Sequence, residues 1–90
     1  MSPKSFLHET DYCMILKRVT NTVGNFILAI ELIYVKKAKR NEIRFCYYKK
    51  NKNGNLQLQP RPLDITPNEL TPLFNKALKE GILEGVELKF

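Results

Sequence analysis

Residues Phe26–Lys50 read FILAIELIYV, KKAKRN and EIRFCYYKK in succession, and this stretch decides the fold. The first segment, Phe26–Val35, is apolar at nearly every position of an extended chain. One face carries Phe26, Leu28, Ile30, Leu32 and Tyr34, and the other Ile27, Ala29, Glu31, Ile33 and Val35. A strand that is apolar on both faces is normally covered on both. Glu31 is the one acid within it and is read as a charged edge or interface partner rather than a catalytic carboxylate. Lys36–Asn41 forms a cationic connection. Glu42–Lys50 then alternates Ile43, Phe45 and Tyr47 against Arg44, Cys46 and Tyr48, the period of a strand. Phe45 and Tyr47 are expected to be core beneath a helix.

Outward from this centre, Tyr12–Val19 (YCMILKRV) is a first strand, and the turn formers of Thr20–Asn25 (TNTVGN) reverse the chain. Asn51–Asn55 (NKNGN) is a hairpin signal, because Asn53-Gly54 accepts positive φ. Leu56–Gln59 (LQLQ) alternates as a short fourth strand. Pro60-Arg61-Pro62 ends it, since proline cannot donate to a ladder.

A helix follows. Thr66 stands at its N-cap, Pro67 at its first position, and Glu69 completes a capping box. Leu70, Leu73, Phe74, Ala77 and Leu78 fall on one face, and Gly81 suits the residue just past the end. Pro72 removes a hydrogen bond inside the helix, so the helix either kinks there or restarts at Thr71-Pro72. Val86–Phe90 (VELKF) alternates and is read as an additional edge strand.

The fold class is therefore α+β: a four-stranded antiparallel sheet followed by one C-terminal helix, β-β-β-β-α. One helix covers only one face of such a sheet. Ile27, Ala29, Ile33 and Val35 then need cover from elsewhere, which predicts a homodimer.

Ninety residues make a single domain, 1–90, with residues 1–11 a polar N-terminal arm. A chain this short has a thin stability margin, and dimerisation would add buried area. Cys13 and Cys46 sit in apolar runs without metal-ligand spacing and are read as small buried hydrophobes. His8 is the only histidine, no carboxylates pair at motif spacing, and the glycines form no phosphate loop. The chain is accordingly expected not to be an enzyme and to need no cofactor or metal. The polar start and the absence of a long apolar run predict a soluble protein of the cell interior, cytoplasmic and without a membrane partner.

Charge is unevenly placed. Met1 to Pro62 carries 12 basic residues against four acidic, a net of +8, whereas Leu63 to Phe90 carries three against five, a net of −2. Cations interleaved with aromatics on strands can neutralise phosphates and stack bases. The candidates for nucleic-acid contact are Lys36, Lys37, Lys39, Arg40, Arg44, Tyr47, Tyr48, Lys49, Lys50, Lys52 and Arg61. The hairpin register sets the first lysine cluster at one end of the Glu42–Lys50 strand and the second at the other, with Arg44 and Tyr48 between them.

Ile43-Arg44, Tyr47-Tyr48, Gly54-Asn55-Leu56 and Leu63-Asp64-Ile65-Thr66-Pro67-Asn68-Glu69-Leu70, with Leu73 after, resemble the transcriptional positive cofactor four family. Members of that family are small coactivators that bind single-stranded DNA, and the likeness covers the C-terminal half of the chain. It implies a β-β-β-β-α protomer, dimerisation and a nucleic-acid groove lined by strands. It carries binding roles onto Lys36, Lys37, Arg44, Tyr47 and Arg61. Alternation sets Tyr47 on the face opposite Arg44 whereas the resemblance uses both, and a bulge near Cys46 would reconcile them.

The leading expectation is a small dimeric protein that binds single-stranded nucleic acid, DNA favoured and RNA also able to fit, in support of transcription, replication or recombination. The alternative is a protein-interaction module, a phage or mobile-element adaptor or inhibitor whose basic face meets an acidic partner.

Overall fold

The computed structural model describes residues 7–83. Five strands run β1 (His8–Glu9), β2 (Cys13–Val23), β3 (Phe26–Val35), β4 (Arg40–Lys50) and β5 (Leu56–Leu58), followed by α1 (Pro67–Lys79). Each strand pairs antiparallel with its neighbour in chain order, and the meander curls into a half-barrel. The α+β class and the sheet-then-helix order are as expected from the sequence. The strand count is corrected from four to five, because His8–Glu9 leaves the expected N-terminal arm and pairs with Ile15 and Met14. The strand anticipated at Val86–Phe90 lies outside the described residues.

The reversal expected over Thr20–Asn25 is shorter than its turn-former content suggests. β2 continues to Val23, which pairs with Phe26, so only Gly24 and Asn25 form the loop. Gly24 has φ +59° and Asn25 does not go positive, the pattern of a two-residue hairpin turn with glycine first. The β3–β4 connection is the cationic segment 36–39, closed by the Lys39 N–H donating to the Val35 carbonyl at 2.8 Å. Asn51 organises the last hairpin, its Oδ1 accepting from the backbone N–H of Asn53 (2.9 Å) and Asn55 (3.0 Å).

β2 contains a bulge between Ile15 and Lys17, which face Ile33 and Leu32 in succession. Side chains alternate across a strand, so one extra residue exchanges the two faces beyond it. Before the bulge, Cys13 and Ile15 lie on the concave side with Ile33 and Val35. After it, Arg18 is concave, opposite Glu31, while Val19 turns to the helix side. β3 and β4 pair without any shift, so the bulge imagined near Cys46 is absent, and Tyr47 stays on the face opposite Arg44.

The main core lies between helix and sheet. Leu73 and Ala77 of α1, both 0% exposed, pack with Val19, Leu28 and Ile30 and with Ile82 and Leu83 after the helix. The helix lies over β2 and β3 and stops short of β4. Phe45 therefore escapes cover at 47% exposure, which corrects its assignment to the core, and Leu78 stands outside too. Tyr47, in contrast, packs on the core beside Leu63 and Ile65 as expected.

On the other sheet face Ala29, Ile33 and Val35 are already buried within one chain. The curl of the sheet accomplishes the covering that had been assigned to a second copy, so that argument for a dimer is removed.

Both helix ends follow their sequence signals. Thr66 Oγ1 accepts from Glu69 N–H at 3.2 Å, and the Glu69 carboxylate accepts from Thr66 N–H at 2.9 Å. Gly81 takes φ +73°, with its N–H bonded to the Leu78 carbonyl and that of Ile82 to Ala77, a Schellman ending. The helix runs unbroken through Pro72, which sits in its second turn. Thr66→Ala removes the side-chain half of the capping box and is expected to cost about 1 kcal/mol, read as a lower urea midpoint at unchanged slope.

Candidate functional site

Arg18, Glu31 and Arg44 occupy directly opposed positions on β2, β3 and β4, so the register alone lines them up across the sheet. Glu31 is 0% exposed. Arg18 Nε donates to its Oε2 at 2.6 Å, and Arg44 donates to Oε1 from Nε at 2.9 Å and lies within 2.8 Å through Nη2. Tyr48 Oη donates to Oε2 at 2.5 Å and itself accepts from Arg18 Nη2 at 3.0 Å. The Arg18 guanidinium lies 4.7 Å from the Tyr48 ring centroid, a cation–π contact. Cys46 Sγ completes the shell at 3.4 Å from Oε1.

Burial alone would raise the pKa of Glu31, but hydrogen bonds from Tyr48, Arg18 and Arg44 outweigh it and hold the carboxyl below the usual carboxylate range. Burial and then the Glu31 charge push Cys46 up to about 12, and burial followed by the hydrogen bond to Glu31 raises Tyr48. For both arginines burial works against the charge, and the bonds to Glu31 more than restore it. The cluster is therefore one anion between two cations, with a net charge of +1.

This cluster forms the floor of a groove of about 590 Å³ on the concave side, between β1 and β5. Leu7, Leu56 and Leu58 stand on its rim, at 61%, 40% and 47% exposure, and Ile15 lies deeper. Among the described residues no cluster of three or more metal-ligating side chains occurs, and no helix is long and apolar enough to cross a membrane.

The eleven residues anticipated for nucleic-acid contact do not form one surface. Arg44 is committed to Glu31, and Tyr48 is 5% exposed with its hydroxyl engaged, so neither is free to stack or to track a backbone. Their burial has one cause: the carboxylate of Glu31 needs them. Lys36 pairs with Glu9 at 2.5 Å, and Arg40 with Glu42 at 2.8 Å. Lys37, Lys39, Lys49, Lys50, Lys52 and Arg61 are exposed and make no ion pair among the described residues. The five lysines gather at the two ends of β4, whose 11 residues put the ends about 33 Å apart at a strand's rise, while Arg61 follows β5.

On the helix side of β4 the order Phe45, Tyr47, Lys49 runs outward along one face. Phe26, opposite Lys49 and 41% exposed, meets the Tyr47 ring edge-on at 5.5 Å between centroids. On this face the exposed aromatics are Phe45 and Phe26, neither of them among the residues expected from the sequence to bind. The signal available was the length of one helix against five strands, which leaves a strand uncovered. Arg18 was missed as well, because its face depends on the bulge. Glu31 was noticed as an acid in an apolar strand, and it is an interior ion partner rather than one at an edge or interface.

The pKa directions set a stability window. A carboxyl with lowered pKa contributes stability above its unfolded value, near 4.3, and the contribution is lost as acid passes down through the folded value. A thiol or phenol with raised pKa contributes fully below its unfolded value and loses this as pH rises toward the folded one. Stability to urea is expected to be flat from about pH 5 to about pH 8.5 and to fall on both sides, with Cys46 leading the alkaline limb. At neutral pH, Glu31→Gln strands two arginines beside a neutral amide and is expected to cost about 3–5 kcal/mol in the same assay. A profile unchanged between pH 3 and pH 7 would contradict the acid limb.

No family model, curated protein or solved structure matches this chain.

Proposed function

We propose that the protein binds single-stranded nucleic acid along the helix-side face of β4. The observation that carries this reading is Phe45, an aromatic left 47% exposed on the same strand face as Lys49. Lysine-rich turns lie at both ends of the strand. An exposed ring offers a stacking surface to any base, and unpaired lysines at each end attract the phosphates on either side of it. Phe26, exposed beside Tyr47, extends the aromatic surface toward Lys49. A single strand suits this arrangement better than a duplex, because stacking on a side chain requires a base whose face is free. Single-stranded DNA is the favoured ligand, and single-stranded RNA presents the same two features. The reading needs one copy of the chain and leaves Arg44 and Tyr48 to their structural work.

Fluorescence anisotropy with labelled oligonucleotides at several salt concentrations tests it. Phe45→Ala is expected to weaken binding by about 5- to 150-fold, the effect of losing one stacked base, while leaving stability nearly unchanged. Replacing Lys37, Lys39, Lys49 and Lys50 with Gln is expected to reduce the slope of log affinity against log salt by up to about three. Oligonucleotide binding that is undetectable at low salt, or indifferent to both sets of changes, sinks the proposal.

A further inference from the structure

We propose that the concave groove is a binding site for a small amphipathic monoanion, a carboxylate on an aliphatic body, held by the free donors of Arg18 in the positive field that Arg44 shares. This site is on the sheet face opposite the proposed nucleic-acid surface and does not depend on it.

Charge balance is the first argument. One arginine would neutralise Glu31, and two leave a single positive charge on the floor of the groove. A carboxylate answers that charge one for one. A dianion would bring its second charge against Glu31.

Unused donors are the second. A guanidinium carries five N–H groups. Arg18 uses Nε on Glu31 and Nη2 on Tyr48, while its Nη1 makes no hydrogen bond among the described residues. No buried side-chain nitrogen among the described residues lacks a partner, so Arg18 Nη1 is open to solvent. Both arginine side chains keep about a fifth of their surface, 21% and 22%, and both line the groove. The planar fork of a guanidinium matches a carboxylate better than an ammonium does. Tyr48 and Glu31 lock Arg18 in place, so little rotamer freedom remains to be lost when an anion arrives.

The walls are the third. Leu7, Leu56 and Leu58 leave large apolar surfaces open around the charged floor, with Ile15 beneath. The groove volume of about 590 Å³ is that of a small-molecule site. An aliphatic chain would cover those leucines while its carboxylate reached the arginines. Nothing about the internal ion cluster requires exposed leucines around it.

The probe is dodecanoate, titrated below its micelle concentration and followed by calorimetry and by the NMR shifts of the arginine Nε–H groups. Dodecanol and dodecyltrimethylammonium serve as neutral and cationic comparators. Dodecanoate is expected to bind at least about tenfold more tightly than dodecanol, the effect of one charge-assisted hydrogen bond, and to shift the Arg18 and Arg44 signals. Leu58→Glu changes an exposed rim residue, so the fold persists, and it is expected to weaken dodecanoate binding by about tenfold or more. Phe45→Ala is expected to leave dodecanoate binding unchanged, which separates this site from the nucleic-acid surface. Equal affinity for dodecanoate and dodecanol, binding unaffected by Leu58→Glu, or no binding of dodecanoate at all would each overturn the proposal.

Discussion

A full negative charge sits at the centre of the sheet, on the strand that is otherwise the most apolar in the chain. Removing a carboxylate from water costs several kcal/mol, and only close cations with good hydrogen bonds repay it. Glu31 obtains these from the strands on either side, Arg18 from β2 and Arg44 from β4, with Tyr48 closing the remaining position. The three long strands are thereby joined by side chains as well as by their ladders. A slip of one residue in either pairing would send an arginine to the wrong face and leave the carboxylate unanswered. The ion cluster adds little net stability of its own, and its physical effect is to make alternative registers expensive.

The same requirement separates the two faces of the sheet by chemistry. Concave positions take the ion cluster, the two buried cysteines and the groove. Helix-side positions take the aliphatic core and, where the helix ends its cover, the exposed rings. Charge that looked continuous along the chain is divided by this partition into interior cations, which hold the structure, and unpaired surface cations, which face solvent. Six of the eleven residues singled out for their charge or aromatic character are of the second kind.

How much of this was legible beforehand depended on the range of the signal. The capping box at Thr66 and Glu69, the ending at Gly81 and the turn at Asn53-Gly54 are local, and each is where the sequence places it. The β3–β4 pairing was also readable, since a short cationic connection joins an apolar strand to one that alternates. The bulge at Leu16 was not, because Cys13–Leu16 is apolar at every position up to the extra residue and shows no alternation for a bulge to break. Without the bulge, Arg18 could not be assigned to Glu31. Without that pairing, Arg44 and Tyr48 looked available. β1 was missed because two residues are too few to show a period. The curl, which buries Ile33 and Val35 without a second chain, is a property of the whole sheet and of no single stretch.

The lysines of the helical end meet the sheet in a way that bears on solubility. β1 covers only Met14 and Ile15 of β2, so among the described residues no strand lies beside the outer border of β2 beyond Lys17. An open border of this kind is a template on which another chain can add itself. Here Lys76 Nζ donates to the Thr20 carbonyl at 2.9 Å and also reaches Asn21 Oδ1, while Lys17 Nζ donates to the carbonyl of Glu80 at 3.2 Å. The Lys76 ammonium thus occupies an acceptor of β2, and both lysines add positive charge where an incoming strand would have to bond. The cations that contribute least to either proposed binding surface protect the sheet from its own kind.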